Sequence, residues 1–157
     1  MSEQRPWLAH YPAGVPAEID LDEFASITDV FDAALLKYRD KPAFTNMGKT
    51  LSYADLDRLS RDFAGYLLGE LKLKKGDRVA LMMPNVLQYP VAIFGVLRAG
   101  LTVVNTNPMY TGRELKHQLK DSGASAIVVT ELFAHTLAEI IADTPIKQVI
   151  TTCIGDL

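Results

Sequence analysis

Four short apolar runs begin near residues 78, 101, 125 and 148, 22–24 residues apart, and a segment of helical periodicity fills each gap. That spacing fits crossover connections between parallel strands. The first run, Val79-Ala80-Leu81-Met82-Met83, is apolar at every position, as expected of a strand covered by helices on both faces. The chain therefore reads as an α/β fold, a parallel sheet with crossover helices. Its strands are expected at residues 78–83, 101–105, 125–130 and 148–152. Pro84-Asn85 leads to a helix ending near Arg98-Ala99, with Gly100 placed to reverse the chain. Pro90 requires either that this helix start at about Pro90 or that its first turns bend. Thr111 and Glu114 form a Thr-x-x-Glu capping box, Leu115 and Leu119 face inward, and Gly123 closes that helix. A last helix, over residues 132–142, turns Leu137, Ile140 and Ile141 inward. Open sheets of this kind bind ligands at the carboxyl ends of their strands. Here that means residues 83–89, 105–113, 130–133 and the C-terminal end.

The chain before the sheet is different. Residues 1–25 carry Pro6, Pro12, Pro16 and Gly14 among Trp7, Tyr11 and Ile19 with no sustained period, which predicts an irregular arm packed by a few aromatics. Residues 26–157 form the remaining unit. Apolar residues at helical spacing predict a helix over 26–40, stopped by Pro42. Residues 43–46 and 49–52 flank Met47-Gly48 as a β-hairpin. Ser52 and Asp55 resemble a second capping box, opening a helix with Leu56, Leu59, Phe63, Tyr66 and Leu67 on one face.

Composition narrows the function. A chain of 157 residues that is 48% apolar can bury roughly 68–70% of its unfolded surface without disulfides or metal. The single Cys153 points to a reducing compartment. A formal charge of −3, spread along the chain, gives no footprint for nucleic acid. The N-terminus has no cationic stretch leading into an apolar run, so a secretory signal is not expected. No run approaches the ~18 apolar residues of a spanning helix.

Individual motifs have simpler readings. Gly48-Lys49-Thr50 ends like a phosphate-binding loop, but the motif's first glycine would fall at Ala43 and no helix starts at Thr50, so it reads as a hairpin turn. Gly123-Ala124-Ser125 has Ile127 where a nucleophile elbow needs glycine. His10, His117 and His135 lack partners at metal-ligand spacing. No Gly-x-Gly-x-x-Gly follows a strand. The richest stretch is Asn105-Thr106-Asn107-Pro108-Met109-Tyr110-Thr111, between a buried strand and a capped helix. Its residues alone favour loop architecture: Asn side chains holding turns, Pro108 fixing a dihedral, Thr111 capping. Met83-Pro84-Asn85 has the same two readings.

Taken together, these stretches resemble a known family. Thr50 through Asp57, Gly76 through Leu81, Pro84-Asn85, Gly95 through Gly100, Asn105 through Pro108 and Thr111 through Leu115 resemble the opening part of the acyl-adenylate-forming enzymes. They are most similar to bacterial long-chain fatty acid CoA ligases. The resemblance implies the N-terminal portion of the large adenylation domain, with Pro84, Asn85, Asn105, Asn107, Pro108, Tyr110, Thr111 and Glu114 as structural signature or pocket-wall residues. It implies a fatty acid substrate, with ATP, Mg2+ and coenzyme A as cofactors of the full-length enzyme. The family's phosphate loop, magnesium-binding acid, ribose-binding aspartate and mobile C-terminal lysine lie later than this chain reaches. No catalytic, cofactor-binding or metal residue is therefore assigned here, and the chain alone is expected to be inactive. Two alternatives are a self-contained α/β ligand-binding module and a non-catalytic partner subunit of a full-length ligase. The expected location is cytoplasmic; contact with the inner membrane face and self-association are left open. An apolar patch for such association would arise if Leu101, Val103, Val104, Ile127, Val128 and Val129 lay on an uncovered sheet face.

Overall fold

The computed structural model describes residues 5–157. Helix α1 (Ile27–Tyr38) starts at Ser26, whose hydroxyl accepts from the Asp29 amide. The hairpin follows, with β1 (Pro42–Asn46) antiparallel to β2 (Lys49–Ser52). Its turn places both Met47 and Gly48 at positive φ, the backbone a two-residue hairpin needs to match strand twist. Helix α2 (Tyr53–Gly69) opens with the Ser52/Asp55 box complete.

Beyond it lie β3 (Arg78–Met82), α3 (Gln88–Arg98), β4 (Thr102–Asn105), α4 (Gly112–Ser122), β5 (Ala126–Thr130), α5 (Ala134–Ile140) and β6 (Gln148–Thr152). The four strands form one parallel sheet in the order β4-β3-β5-β6. Alternation along each strand sends residues to opposite faces. Val79, Leu81, Ala126 and Val128 pack against α2 and α3. Ala80, Met82, Ile127 and Val129 pack against α4 and α5. The continuous apolar runs are thus two half-cores interleaved, and each fully buried Leu among them contributes about 1.5–3 kcal/mol. Since α3 covers one face and α4 the other, the chain switches sides between β3 and β5. Ligand crevices of open α/β sheets form at such a point.

Helix α3 starts at Gln88, close to Pro90, which is the third residue of the helix, where an amide has no intrahelical acceptor to lose. Three expectations are corrected. Helix 132–142 is broken into a 3-10 turn (Glu131–Phe133), α5 and a second 3-10 turn (Ile141–Asp143). Phe133 offers no side-chain cap to α5, while Thr144 ends the segment by donating to the Ile141 carbonyl at 2.8 Å. On α2, Tyr66 is 42% exposed, while the buried face is made by Leu56, Ser60, Ala64 and Leu67. Helix α3 approaches there: a Cβ on Gly95 would lie 3.0 Å from the Ser60 carbonyl oxygen and 2.7 Å from Phe63 Cδ1. Finally, the arm's Trp7, Tyr11 and Ile19 are 53%, 41% and 80% exposed, so they do not pack it down. Residues 1–4 of that arm lie outside the described residues.

The sheet face proposed as an association patch is covered. Leu101, Ile127, Val128 and Val129 are buried, and Val103 and Val104 are half-buried.

Candidate functional site

At the carboxyl end of β3 the chain runs through buried Met83, half-buried Pro84 and exposed Asn85 into buried Val86 and Leu87. Tight bonds fold it: the Val86 amide donates to the Pro84 carbonyl at 2.9 Å and Tyr89 N to Val86 O at 3.0 Å. The hairpin reaches over this loop, where Asn46 Nδ2 donates to the Asn85 carbonyl oxygen at 3.2 Å. Between β1 and α3 lies a groove of about 500 Å³, walled by Phe44, Val86, Leu87, Pro90, Ile93 and Phe94, with Thr45, Asn46, Asn85 and Tyr89 as its polar contributors. None of its lining side chains is charged.

The loop after β4 behaves differently. Asn107 Oδ1 accepts from the Met109 amide at 2.9 Å and the Tyr110 amide donates to Asn107 O at 3.2 Å, so Asn107 is spent on its own turn. Thr111 and Glu114 satisfy each other and the first turn of α4. The Thr111 hydroxyl and amide hold the Glu114 carboxyl below its ordinary range. Pro108 and Tyr110 are half-buried, Tyr110 against the α4–α5 half-core. Asn105 alone reaches outward: its Oδ1 accepts from the Tyr89 hydroxyl at 2.8 Å and its carbonyl from Gln118 Nε2 at 2.9 Å. Burial raises the pKa of that tyrosine further above neutral.

A third set of groups surrounds the ends of β5 and β6. Gln88 Nε2 donates to the Cys153 carbonyl at 2.6 Å, and the Cys153 thiol donates to Glu131 Oε2 at 2.9 Å. That hydrogen bond, then burial, then the nearby carboxylates push the thiol up to about 11, so it is protonated at neutral pH and is no nucleophile. Among the described residues, no three His, Cys, Asp or Glu gather as metal ligands. His10, His117 and His135 are all exposed.

The structure thus brings Asn85 and Asn105 toward α3 and leaves Asn107, Thr111 and Glu114 in local roles. What the sequence did not disclose is the hairpin wall of Phe44, Thr45 and Asn46. Its alternation marks a strand but carries no signal of where that strand leans.

Residues 31–156 match the model of the AMP-binding enzyme family. The chain belongs to that family. It is similar to the long-chain-fatty-acid–CoA ligase of Yersinia pestis, 57% identical over 98% of this chain and 27% of that protein. The ligase of the same name from Bacillus subtilis is 35% identical over 99% of this chain and 28% of its own length. Among solved structures, a long-chain-fatty-acid–CoA ligase from Archaeoglobus fulgidus superimposes with a TM-score of 0.73 at 26% identity, covering 81% of this chain and 27% of that one. This AMP-binding chain therefore spans little more than a quarter of the length of its relatives. Its parallel sheet and crossover helices are the α/β fold of their adenylation domains. The matches do not favour a self-contained module or a partner subunit.

Proposed function

We propose that this chain supplies the first parallel sheet of the adenylation domain in a long-chain fatty acid CoA ligase. The reaction of the whole protein would join a fatty carboxylate to coenzyme A through an acyl-AMP formed from ATP. The observation that carries this reading is 57% identity to a ligase of that name over 98% of the chain. Within the whole protein, ATP, Mg2+ and coenzyme A are its proposed cofactors, residues 26–157 its partial adenylation domain and residues 1–25 a separate arm. Its proposed location is cytoplasmic. No helix of the described residues is long and apolar enough to cross a membrane.

The residues present do not fit a magnesium-bound nucleotide. No cluster of acidic or imidazole ligands exists among those described, and the caps of α2 and α4 already occupy amides of their first turns. Phosphoryl chemistry needs positioned cations and donors around the developing charge, so no step of it is derived from these side chains. What they do is shape: they hold the β3 loop, the hairpin and α3 in one rigid wall beside the carboxyl ends of the strands.

The test is direct. With palmitate, Mg-ATP and coenzyme A, the 157-residue chain is expected to give no acyl-CoA, and a chain of the relatives' length is expected to turn over. Turnover by the short chain, or tight ATP binding to it, would overturn this division of labour.

A further inference from the structure

We propose that two copies of this chain pair by exchanging arms, the acidic arm of each docking on the basic surface where α1 of the other passes into its hairpin. The arm keeps apolar side chains in water: Ile19 and Leu21 are 80% and 79% exposed, and Phe24 38%. Interleaved with them in residues 18–24 are four carboxylates, Glu18, Asp20, Asp22 and Glu23, and no cation. Glu18 pairs with Arg5. Asp20, Asp22 and Glu23 are exposed and form no ion pair among the described residues. Exposed apolar residues grouped among polar ones mark an interaction surface.

The complement of that surface lies on residues 37–49. Lys37, Arg39, Lys41 and Lys49 stand there against a single acid, Asp40. All four cations are exposed, and none forms an ion pair among the described residues. Between them Tyr38, Phe44 and Met47 are 39%, 42% and 83% exposed. The charged hollow between α1 and α2 offers no such partner, because its carboxylates are taken by Arg61 and Arg98. Within one chain the arm precedes α1 and the basic surface begins at its last turn, with 12 helical residues, a rise of about 18 Å, between them. A second copy supplies the contact that the single chain does not make, and a two-fold axis makes it twice. Exposed ion pairs contribute little by themselves. The apolar side chains therefore carry the affinity, while the charges orient arm toward basic surface and keep arm from arm.

Sedimentation equilibrium of the 157-residue protein is expected to give a mass that rises with concentration toward twice 17.3 kDa. Pairing should weaken as added salt shortens the screening length from about 10 Å at 0.1 M to about 3 Å at 1 M. Ile19→Ser combined with Leu21→Ser is expected to weaken it about tenfold or more. Both residues are exposed in the single chain, so no core contact is lost. The deciding measurement uses two charge-reversed chains, one with Asp20→Lys, Asp22→Lys and Glu23→Lys, the other with Lys37→Glu, Lys41→Glu and Lys49→Glu. All six positions are exposed. Each chain alone sets like charge against like and is expected to stay monomeric, whereas their equimolar mixture restores both contacts and is expected to form a heterodimer. A monomer at every concentration, undiminished pairing of either reversed chain alone, or a mixture that stays monomeric would overturn the proposal. The last outcome would place the arm on its own chain. None of these results bears on the ligase reading, which stands or falls on acyl-CoA formation.

Discussion

Helices α3 and α4 each follow a strand and carry a loop at the ligand-binding edge, yet they are held in place by opposite means. Helix α4 is fixed locally. Thr111 and Glu114 close its first turn and Gly123, at φ 61°, closes its last, all within one stretch of sequence. Helix α3 has no side-chain cap at all. It is fixed by contacts from far away: Gly95 against Ser60 and Phe63, Phe94 on Phe31, and Arg98 Nη2 at 2.7 Å from Asp57 and 2.8 Å from Asp32. The difference teaches where a groove can be built. A helix secured by its own caps leaves its loop self-contained, whereas one secured by two other helices brings distant side chains to its flank.

The sharpest way to break this contrast is Gly95→Val. Its side chain would drive into the Ser60 carbonyl, which cannot step aside as a flexible side chain does. Overpacking of this kind costs about 3 kcal/mol, read as a lower urea midpoint. A midpoint matching the unmodified protein would show that α2 and α3 do not cross so closely.

Next in size is Asp57→Ala. Arg98 is 11% exposed in its side chain, so removing its better-buried partner leaves a poorly solvated charge. Discounted for Asp57's own partial exposure, the loss is about 2 kcal/mol. Burial pushes the Asp57 carboxyl up, but hydrogen bonds from Arg61 and Arg98 and their charges hold it below 3.8 overall. Its stabilisation is therefore complete above about pH 4 and fades as pH falls through the lowered value. Acid unfolding of Asp57→Ala should be shallower below that pH, and a curve parallel to wild type would show the carboxylate to be uncoupled from folding.

The same contrast explains what could be read in the sequence. Both capping boxes, the hairpin turn and the closing Gly123 are local patterns, and each is legible because its partners sit within four residues. Tyr66, Ser60 and the hairpin's lean are not local. Periodicity put Tyr66 on the apolar face of α2, but where that face is centred depends on α3, whose Gly95, 35 residues beyond Ser60, packs on Ser60 and Phe63. The loop at residues 105–111 looked richest because its polar residues are conspicuous. They are conspicuous because they serve their own turn. The groove, built from residues 44–46 and 85–94, had no such mark: its parts are ordinary apolar residues until α3 and the hairpin meet.

On the locally held side, Thr111→Ala should cost about 1 kcal/mol, the ordinary value of an N-cap. Its effect should stay in α4, with faster amide exchange at Glu114 and little change at Tyr89. Exchange rising equally in α3 would mean the two helices are not independently secured.

The smallest expected effect tests a side-chain bond between the two regions. Tyr89 Oη to Asn105 Oδ1, at 2.8 Å, ties the first turn of α3 to the end of β4. Tyr89→Phe removes the hydroxyl and keeps the ring against the core, so the loss is about 0.5–1.5 kcal/mol. Asn105 keeps its backbone bond from Gln118, which anchors it to α4 whatever happens at Tyr89. The substitution should therefore loosen α3's side of the contact and spare α4's. A double-mutant cycle of Tyr89→Phe with Asn105→Ala should return a coupling energy near the single-mutant loss. Coupling near zero would mean that the loops after β3 and β4 are mechanically separate, and that the groove is held by the hairpin and helix packing alone.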